Sequence, residues 1–88
     1  MMRITRKMSD KQAERLNWLL GTPEQPYKDG KAQIGCIHIV SQNGTNNIYQ
    51  MDNEAGGCKG LAYGLKQSEV YLWLTAAQAG INLTNPSY

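Results

Sequence analysis

Two cysteines and one histidine are the side chains in this sequence best suited to metal binding or nucleophilic catalysis. Cys36 and His38 are separated by one residue, so a strand would place both on one face, and Cys58 follows later in the chain. A structural zinc site takes four ligands, commonly in close pairs such as Cys-x-x-Cys, and no such pair occurs here. Together with a carboxylate such as Asp52 these residues form a weak ligand set. Packing of cysteine as a small apolar residue is the stronger interpretation, so we predict no metal site and no cofactor.

The same residues are poorly spaced for covalent catalysis. Residues two apart on a strand lie ~6.5 Å apart along the backbone. A nucleophile needs its base within about 3 Å, so Cys36 and His38 do not form a nucleophile–base pair. Asp52 and Glu54 flank a Gly-Gly turn, where carboxylates are typically solvated, and the glycines match neither phosphate-binding fingerprint. These observations favour a protein that is not an enzyme.

Amide and phenol side chains are dense in the middle of the chain. They hydrogen-bond bases and peptides, and tyrosine rings stack on flat groups. Ordinary turn composition is the stronger interpretation of the asparagines, and a recognition surface is the alternative. If the ligand is a nucleotide, we predict contacts from residues that supply stacking, hydrogen bonds and positive charge: Tyr27, Lys31, Asn53, Lys59 and Tyr63.

Positive charge is concentrated at the start of the chain. The formal net charge is only +2, yet five of the nine basic residues fall within the first fifteen positions: Arg3, Arg6, Lys7, Lys11 and Arg15. Such a cluster is either a solvated helix face or a phosphate-facing patch. The second interpretation gives the alternative function, a small nucleic-acid-binding protein.

A first helix is predicted to begin at Ser9, whose hydroxyl and the Gln12 amide would form a capping box. Gly21 would end it, and residues 22–31 are predicted to form a loop because Pro23 cannot continue a helix. The residues predicted to face inward are Ala13, Leu16, Leu19 and Leu20.

Three strands are predicted next, over residues 32–41, 47–52 and 58–65. The first has apolar residues on both faces, which is typical of a central strand covered on each side. Asn43-Gly44 predicts a hairpin turn between the first two strands, and residues 53–57 form a second turn. In the third strand, Gly60 and Ala62 lie on a smooth face that a helix could approach closely.

A second helix is predicted over residues 67–79, ending at Gly80 in a left-handed conformation. Its apolar residues spread over more than one face, which indicates cover by the sheet or by another chain, and we predict a homo-oligomer. The fold class is therefore α+β with the order α-β-β-β-α, a three-stranded antiparallel meander packed against two helices. Residues 1–88 form one domain, with an arm at 1–8 and a frayed tail at 82–88.

No apolar run approaches the ~20 residues of a membrane span, and no hydrophobic segment follows the basic N-terminus as in a signal peptide. We therefore predict no membrane association. Two cysteines without a secretion signal indicate reduced thiols in a cytoplasmic protein.

Two resemblances add expectations. The order α-β-β-β-α, with the segment Gly64 to Val70 entering the last helix, resembles the double-stranded-RNA-binding domain. Where that family has consecutive lysines this sequence reads Lys-Gln-Ser-Glu, so the resemblance implies topology alone.

The second resemblance covers most of the chain. The segments 20–23, 29–32, 51–57 and 62–65 look like small proteins of phages and mobile elements of gut bacteria. That resemblance implies an accessory protein in the cytoplasm of a bacterial host. Such proteins often inhibit host immunity stoichiometrically, by blocking an effector protein or by sequestering its nucleotide signal.

Overall fold

The computed structural model describes residues 3–84 as a helix, a small hairpin, a three-stranded sheet and a second helix. The elements are α1 (Arg6–Leu20), β1 (Tyr27–Lys28), β2 (Lys31–Ala32), β3 (Ile37–Gln42), β4 (Thr45–Met51), β5 (Cys58–Leu65) and α2 (Gln67–Thr84). The α+β class and the α-β-β-β-α order are confirmed. The predicted loop 22–31 holds the added hairpin, because Asp29-Gly30 forms a tight turn with both residues at positive φ. The ends of the predicted arm and tail, residues 1–2 and 85–88, lie outside the described residues.

The main sheet is antiparallel with the strand order β3-β4-β5, so β4 is the central strand. The prediction that the first long strand is central was wrong, because β3 is an edge strand with helices on one face only. Its inward residues, Ile37 and Ile39, are buried, whereas Val40 on the other face is 38% exposed. Ile34, predicted to belong to this strand, precedes it and is 52% exposed.

Both helices pack on the same face of the sheet. The core cluster contains two residues of α1, three of the sheet and two of α2: Ala13, Leu16, Ile37, Ile39, Ile48, Val70 and Leu74. The molecule is a two-layer slab with principal extents of 41 × 40 × 19 Å. The sheet face turned away from the helices is called the outer face below.

The N-cap of α1 lies four residues before the predicted one. Thr5 is the N-cap, and its Oγ1 accepts a hydrogen bond from the Met8 N–H at 3.3 Å. Ser9 is fully buried against the core side of the helix, so packing rather than the capping pattern decides its place. Within the described residues, the predicted arm is therefore reduced to residues 3–5.

The inner face of α1 also differs from the prediction. Asn17 is fully buried, whereas Leu20 is 44% exposed and Leu19 only partly buried. Four-residue spacing runs through Ser9, Ala13 and Asn17, and this row faces the core. Gly21 ends the helix as predicted, with φ +74° and its N–H bonded to the Trp18 carbonyl at 3.2 Å.

α2 extends beyond its predicted end. Gly80 lies inside the helix, which continues to Thr84, so the predicted left-handed end at Gly80 and the frayed tail from residue 82 were wrong for the described part. Ile81 packs against the core cluster, so the apolar face of the helix continues for another turn. At the start, the Glu69 carboxylate accepts a hydrogen bond from the Lys66 N–H at 2.8 Å.

The hairpin between β3 and β4 has Asn43 at φ +51° and Gly44 at φ +81°, as predicted for this turn. Along β4 and β5 the register shifts twice, between Asn46 and Ile48 and between Ile48 and Tyr49. These bulges break the predicted alternation of β5. Leu61 and Ala62, adjacent in sequence, both contact the core cluster, so the predicted smooth Gly-Ala face does not form.

Candidate functional site

A row of aromatic side chains crosses the outer face of the sheet. In the strand register His38 pairs with Tyr49, and Tyr49 pairs with Gly60. The rings of His38 and Tyr49 have centroids 6.2 Å apart, and those of Tyr49 and Tyr63 meet edge to face at 5.9 Å. Tyr63 is 64% exposed. We call His38, Tyr49 and Tyr63 the aromatic row.

The bulged strand β5 positions the end of this row. Tyr63 folds back over Gly60, and a Cβ atom at position 60 would collide with the phenol ring. Asn47 fixes the neighbouring backbone, because its Oδ1 accepts a hydrogen bond from the Gly64 N–H at 2.9 Å. The Asn47 amide also lies 3.4 Å from the Tyr49 hydroxyl. Tyr49 and Tyr63 are therefore held by a buried amide and by a glycine that leaves room for a ring.

Three of the five predicted nucleotide contacts lie near the β1–β2 hairpin and the turn at residues 53–57. The Tyr27 hydroxyl would be 3.1 Å from a Cβ atom at Gly56, and Lys31 lines a shallow pocket with Glu54. Asn53 has a structural role, since its Oδ1 accepts hydrogen bonds from the N–H groups of Ala55 and Gly57, both at 3.0 Å.

The other two predicted contacts lie on β5. Lys59 is exposed and pairs with Gln50 in the register, and Tyr63 is part of the aromatic row. Tyr63 thus has ring neighbours on its face of the sheet, whereas Tyr27 belongs to the small hairpin. The five predicted contacts did not include His38 or Tyr49, which are brought together by the register of β3 and β4. The approach of Tyr63 to Tyr49 depends on the bulge in β5, which is not readable from residue types.

The predicted basic cluster divides into a structural residue and an exposed set. Arg6 holds α1 to the edge strand: its Nε lies 2.8 Å from Asp10 Oδ1, Nη2 donates to the Ile39 carbonyl at 2.7 Å, and Nη1 donates to the Ser41 hydroxyl. Arg3 is exposed and precedes the helix.

The remaining three basic residues, Lys7, Lys11 and Arg15, are exposed and spaced by four along α1. Trp18 follows three residues later on the same helical face and is 71% exposed. We call Lys7, Lys11, Arg15 and Trp18 the basic stripe. The predicted basic cluster did not join Trp18 to the cations, although its three-residue spacing from Arg15 carried that signal.

The two cysteines occupy opposite environments. Cys36 is fully buried, and burial raises the pKa of its thiol to about 11, partly offset by a hydrogen bond from the Asn17 amide. Cys58 is exposed, and its Sγ lies 3.8 Å from His38 Nε2. The weak ligand set of Cys36, His38, Cys58 and Asp52 therefore does not assemble. Among residues 3–84 no three His, Cys, Asp or Glu side chains come close enough to hold a metal ion.

Together these surfaces define a small two-layer α+β domain with an aromatic outer face and a basic helix. Neither helix within residues 3–84 combines the length and the apolar character needed to cross a bilayer. No protein-family profile, curated protein or solved structure matches this chain.

Proposed function

We propose that this chain acts by stoichiometric binding, without catalysis, as an accessory protein of phage or mobile-element origin in the bacterial cytoplasm. In this proposal it inhibits bacterial immunity by occupying an effector protein or by sequestering a nucleotide signal. Of these two modes, the geometry favours capture of a nucleotide.

The aromatic row carries this proposal. Aromatic side chains on an open sheet face form a stacking platform for bases, and each stacked base contributes about 1–3 kcal/mol. Tyr63 supplies an exposed ring, and its contacts with Gly60 and Tyr49 restrict its rotation. A ring that is already ordered loses little conformational entropy when a ligand stacks on it.

The proposal is tested by thermal stabilisation of the protein with a panel of mono-, di- and cyclic nucleotides. Tyr63→Ala is expected to weaken binding of the stabilising nucleotide roughly 5- to 150-fold, because it removes one stacking contact. Tyr63→Phe keeps the ring and should retain most of the affinity. Leu20→Ala, an exposed substitution on α1, is the control.

Tyr27→Ala tests whether the ligand also reaches the hairpin, as the five predicted contacts imply. A nucleotide whose affinity is unchanged by Tyr63→Ala would contradict the aromatic row as its binding surface. If no nucleotide in the panel stabilises the protein, nucleotide capture is contradicted, and blocking of an effector protein is the remaining mode of inhibition.

The basic stripe favours a second candidate function, the binding of nucleic acid. Three cations at four-residue spacing can follow a phosphate backbone, and Trp18 can stack on an unpaired base. Arg6 is excluded from this surface by its contacts with Asp10 and β3.

This candidate predicts affinity for labelled duplex or single-stranded nucleic acid that falls steeply with salt. Changing Lys7, Lys11 and Arg15 together to Gln should lower the slope of log affinity against log salt by roughly 2 to 3. A matched control changes Lys28, Lys31 and Lys59 to Gln, which removes the same charge elsewhere. Equal effects of the two triple variants would show that net charge, not the basic stripe, governs binding.

Self-association is part of the proposal. On the solvent side of α2, four exposed apolar residues recur at helical spacing: Leu72, Ala76, Ala79 and Leu83. α2 carries a single charged residue, Glu69, so two copies can bring these faces together with little charge repulsion.

Native mass spectrometry and sedimentation test this interface. Leu72→Glu with Leu83→Glu is expected to convert the oligomer to a monomer, whereas Leu20→Glu, a matched change on α1, should leave it intact. A wild-type chain that stays monomeric at high concentration would contradict self-association.

A further inference from the structure

Three soft or borderline metal ligands converge where the outer face meets the turn at residues 53–57. Met51 and Cys58 are direct partners in the register of β4 and β5. The Cys58 Sγ lies 3.9 Å from Met51 Sδ and 3.8 Å from His38 Nε2. The three side chains come from three different strands, so the sheet itself sets their spacing.

The Cys58 thiol is the centre of this cluster. Its proton has three acceptors within reach: the Gly56 carbonyl at 3.5 Å, the His38 imidazole and the Met51 thioether. A monovalent metal ion bound to the sulfur would occupy the region that the proton now occupies. Binding would release that proton to solvent, and the oxidation state of the metal would not change.

The two separations from the Cys58 sulfur fit a three-coordinate ion. With metal–sulfur and metal–nitrogen bonds of about 2.3 and 2.0 Å, a trigonal site has sulfur–sulfur and sulfur–nitrogen separations of about 4.0 and 3.7 Å. The separations from Cys58 Sγ, 3.9 Å to Met51 Sδ and 3.8 Å to His38 Nε2, are close to both values.

We propose that Cys58, Met51 and His38 form a binding site for one Cu(I) ion. A thiolate and a thioether are soft ligands, which favour Cu(I) over harder divalent ions, and imidazole also suits copper. Met51 is only 1% exposed and forms the floor of the site, whereas Cys58 is exposed and leaves an entry path. This inference does not depend on the proposed function.

The environment of His38 supports its role as a ligand. Its Nδ1 lies 3.4 Å from the Cys36 carbonyl. In the tautomer with the proton on Nδ1, that N–H donates to the carbonyl and leaves the Nε2 lone pair directed to the cluster. A backbone carbonyl on the second ring nitrogen is one of the common partners by which proteins orient metal-binding histidines. The Tyr49 ring beside His38 further restricts the imidazole.

The test is an anaerobic titration of the reduced protein with Cu(I) in competition with bicinchoninate, combined with X-ray absorption spectroscopy. We expect one Cu(I) per chain and a coordination shell of two sulfurs and one nitrogen. Met51→Leu, which nearly preserves side-chain volume, should lower affinity at least about tenfold and remove one sulfur from the shell. Cys58→Ser should abolish binding.

Cys36→Ala is the matched thiol control and should leave stoichiometry and affinity unchanged, because Cys36 is turned to the core. Circular dichroism establishes that each variant is folded before it is titrated. Three results would overturn the proposal: unchanged affinity in Met51→Leu, a copper bridging the Cys58 thiolates of two chains, or tighter binding of Zn(II) than of Cu(I) in the same competition.

Discussion

Asn17 joins the first helix to the edge strand through buried hydrogen bonds. Its Oδ1 accepts from the Ile37 N–H at 2.7 Å and from the Thr22 hydroxyl at 2.9 Å, and its Nδ2 donates to the Ile37 carbonyl at 2.9 Å. The amide thus satisfies both backbone groups of Ile37, a residue at the start of β3 that has only one neighbouring strand. The Asn17 side chain therefore makes the backbone hydrogen bonds that a second neighbouring strand would otherwise make at Ile37.

Asn17→Ala is therefore expected to lower the free energy of unfolding by about 2–4 kcal/mol, because it leaves buried backbone groups unpaired. Urea denaturation followed by circular dichroism measures the change. Asn82→Ala makes the same substitution at an exposed position of α2 and should have little effect or a slight stabilising one. Similar losses in both variants would contradict the bridging role of Asn17.

Cys36 makes stability depend on pH in the alkaline range. Burial raises the pKa of its thiol from 9.0 to about 11 in the folded chain, so folding favours the protonated form. This contribution is complete below pH 9 and is lost as the pH rises towards 11; for a shift of this size it is on the order of 2–3 kcal/mol. Urea unfolding across that window should show a steeper loss for the wild type than for Cys36→Ala. Parallel pH profiles would contradict this account.

The two ends of α1 and the interior of α2 show how local signals and packing compete at the scale of an element. Gly21 and Asn43-Gly44 were predictable because positive φ is a local requirement of the backbone. The bounds of β5 also agree with the prediction. Ser9 and Gly80 were misassigned because each carries a local terminus signal that core packing overrides.

Two substitutions near the start of α1 are expected to change stability in opposite directions. Thr5→Ala removes the N-cap and should destabilise the protein by about 0.5–2 kcal/mol. Ser9→Ala should instead be neutral or stabilising, because the Ser9 hydroxyl is buried and has no hydrogen-bond partner among the described residues. Thermal unfolding of the two variants compares them directly. Destabilisation by Ser9→Ala of the size expected for a lost cap would favour the start predicted from the sequence.

Alanine substitutions at two helix glycines, Gly80 and Gly21, are also expected to change stability in opposite directions. A Cβ atom at Gly80 meets nothing within 4 Å, and the residue lies inside α2, so Gly80→Ala should stabilise the protein by about 0.5–1 kcal/mol. Gly21 also has open space around it, but its φ of +74° is costly for alanine. Gly21→Ala should destabilise by about 1 kcal/mol. A destabilising Gly80→Ala would indicate that the helix ends there.

At the scale of the molecule, hydrophobic periodicity and turn residues predicted the fold class and the order of the elements. They did not predict that both helices pack on one face of the sheet. Whether helices cover one face of a sheet or two depends on long-range packing, and the apolar residues of β3 suggested two. The same limit applies to the candidate sites. Tyr63 joins Tyr49 because of a bulge, and Met51 joins Cys58 because of strand register, and neither is visible in residue spacing.

The position of β4 between two strands predicts a gradient of hydrogen exchange. Its amides bond to β3 on one side and β5 on the other, and Ile48 at its centre is fully buried. We expect amides of β4 to be among the slowest to exchange and those of β1 and β2 among the fastest, because exposed two-residue strands open locally at little cost. Slower exchange in the small hairpin than in β4 would contradict the described arrangement.

The contact between the two helices has a consequence for synthesis of the chain. Gln78 on α2 donates a hydrogen bond to the Gln12 side chain at 2.9 Å, and both helices contribute to one core. During translation α1 leaves the ribosome long before α2 is made, and until then Leu16 lacks its partners Val70 and Leu74. The nascent chain therefore carries the apolar inner face of α1 without its final cover until α2 has emerged. We therefore expect this domain to complete its folding only after α2 has emerged, because contacts between distant segments form late.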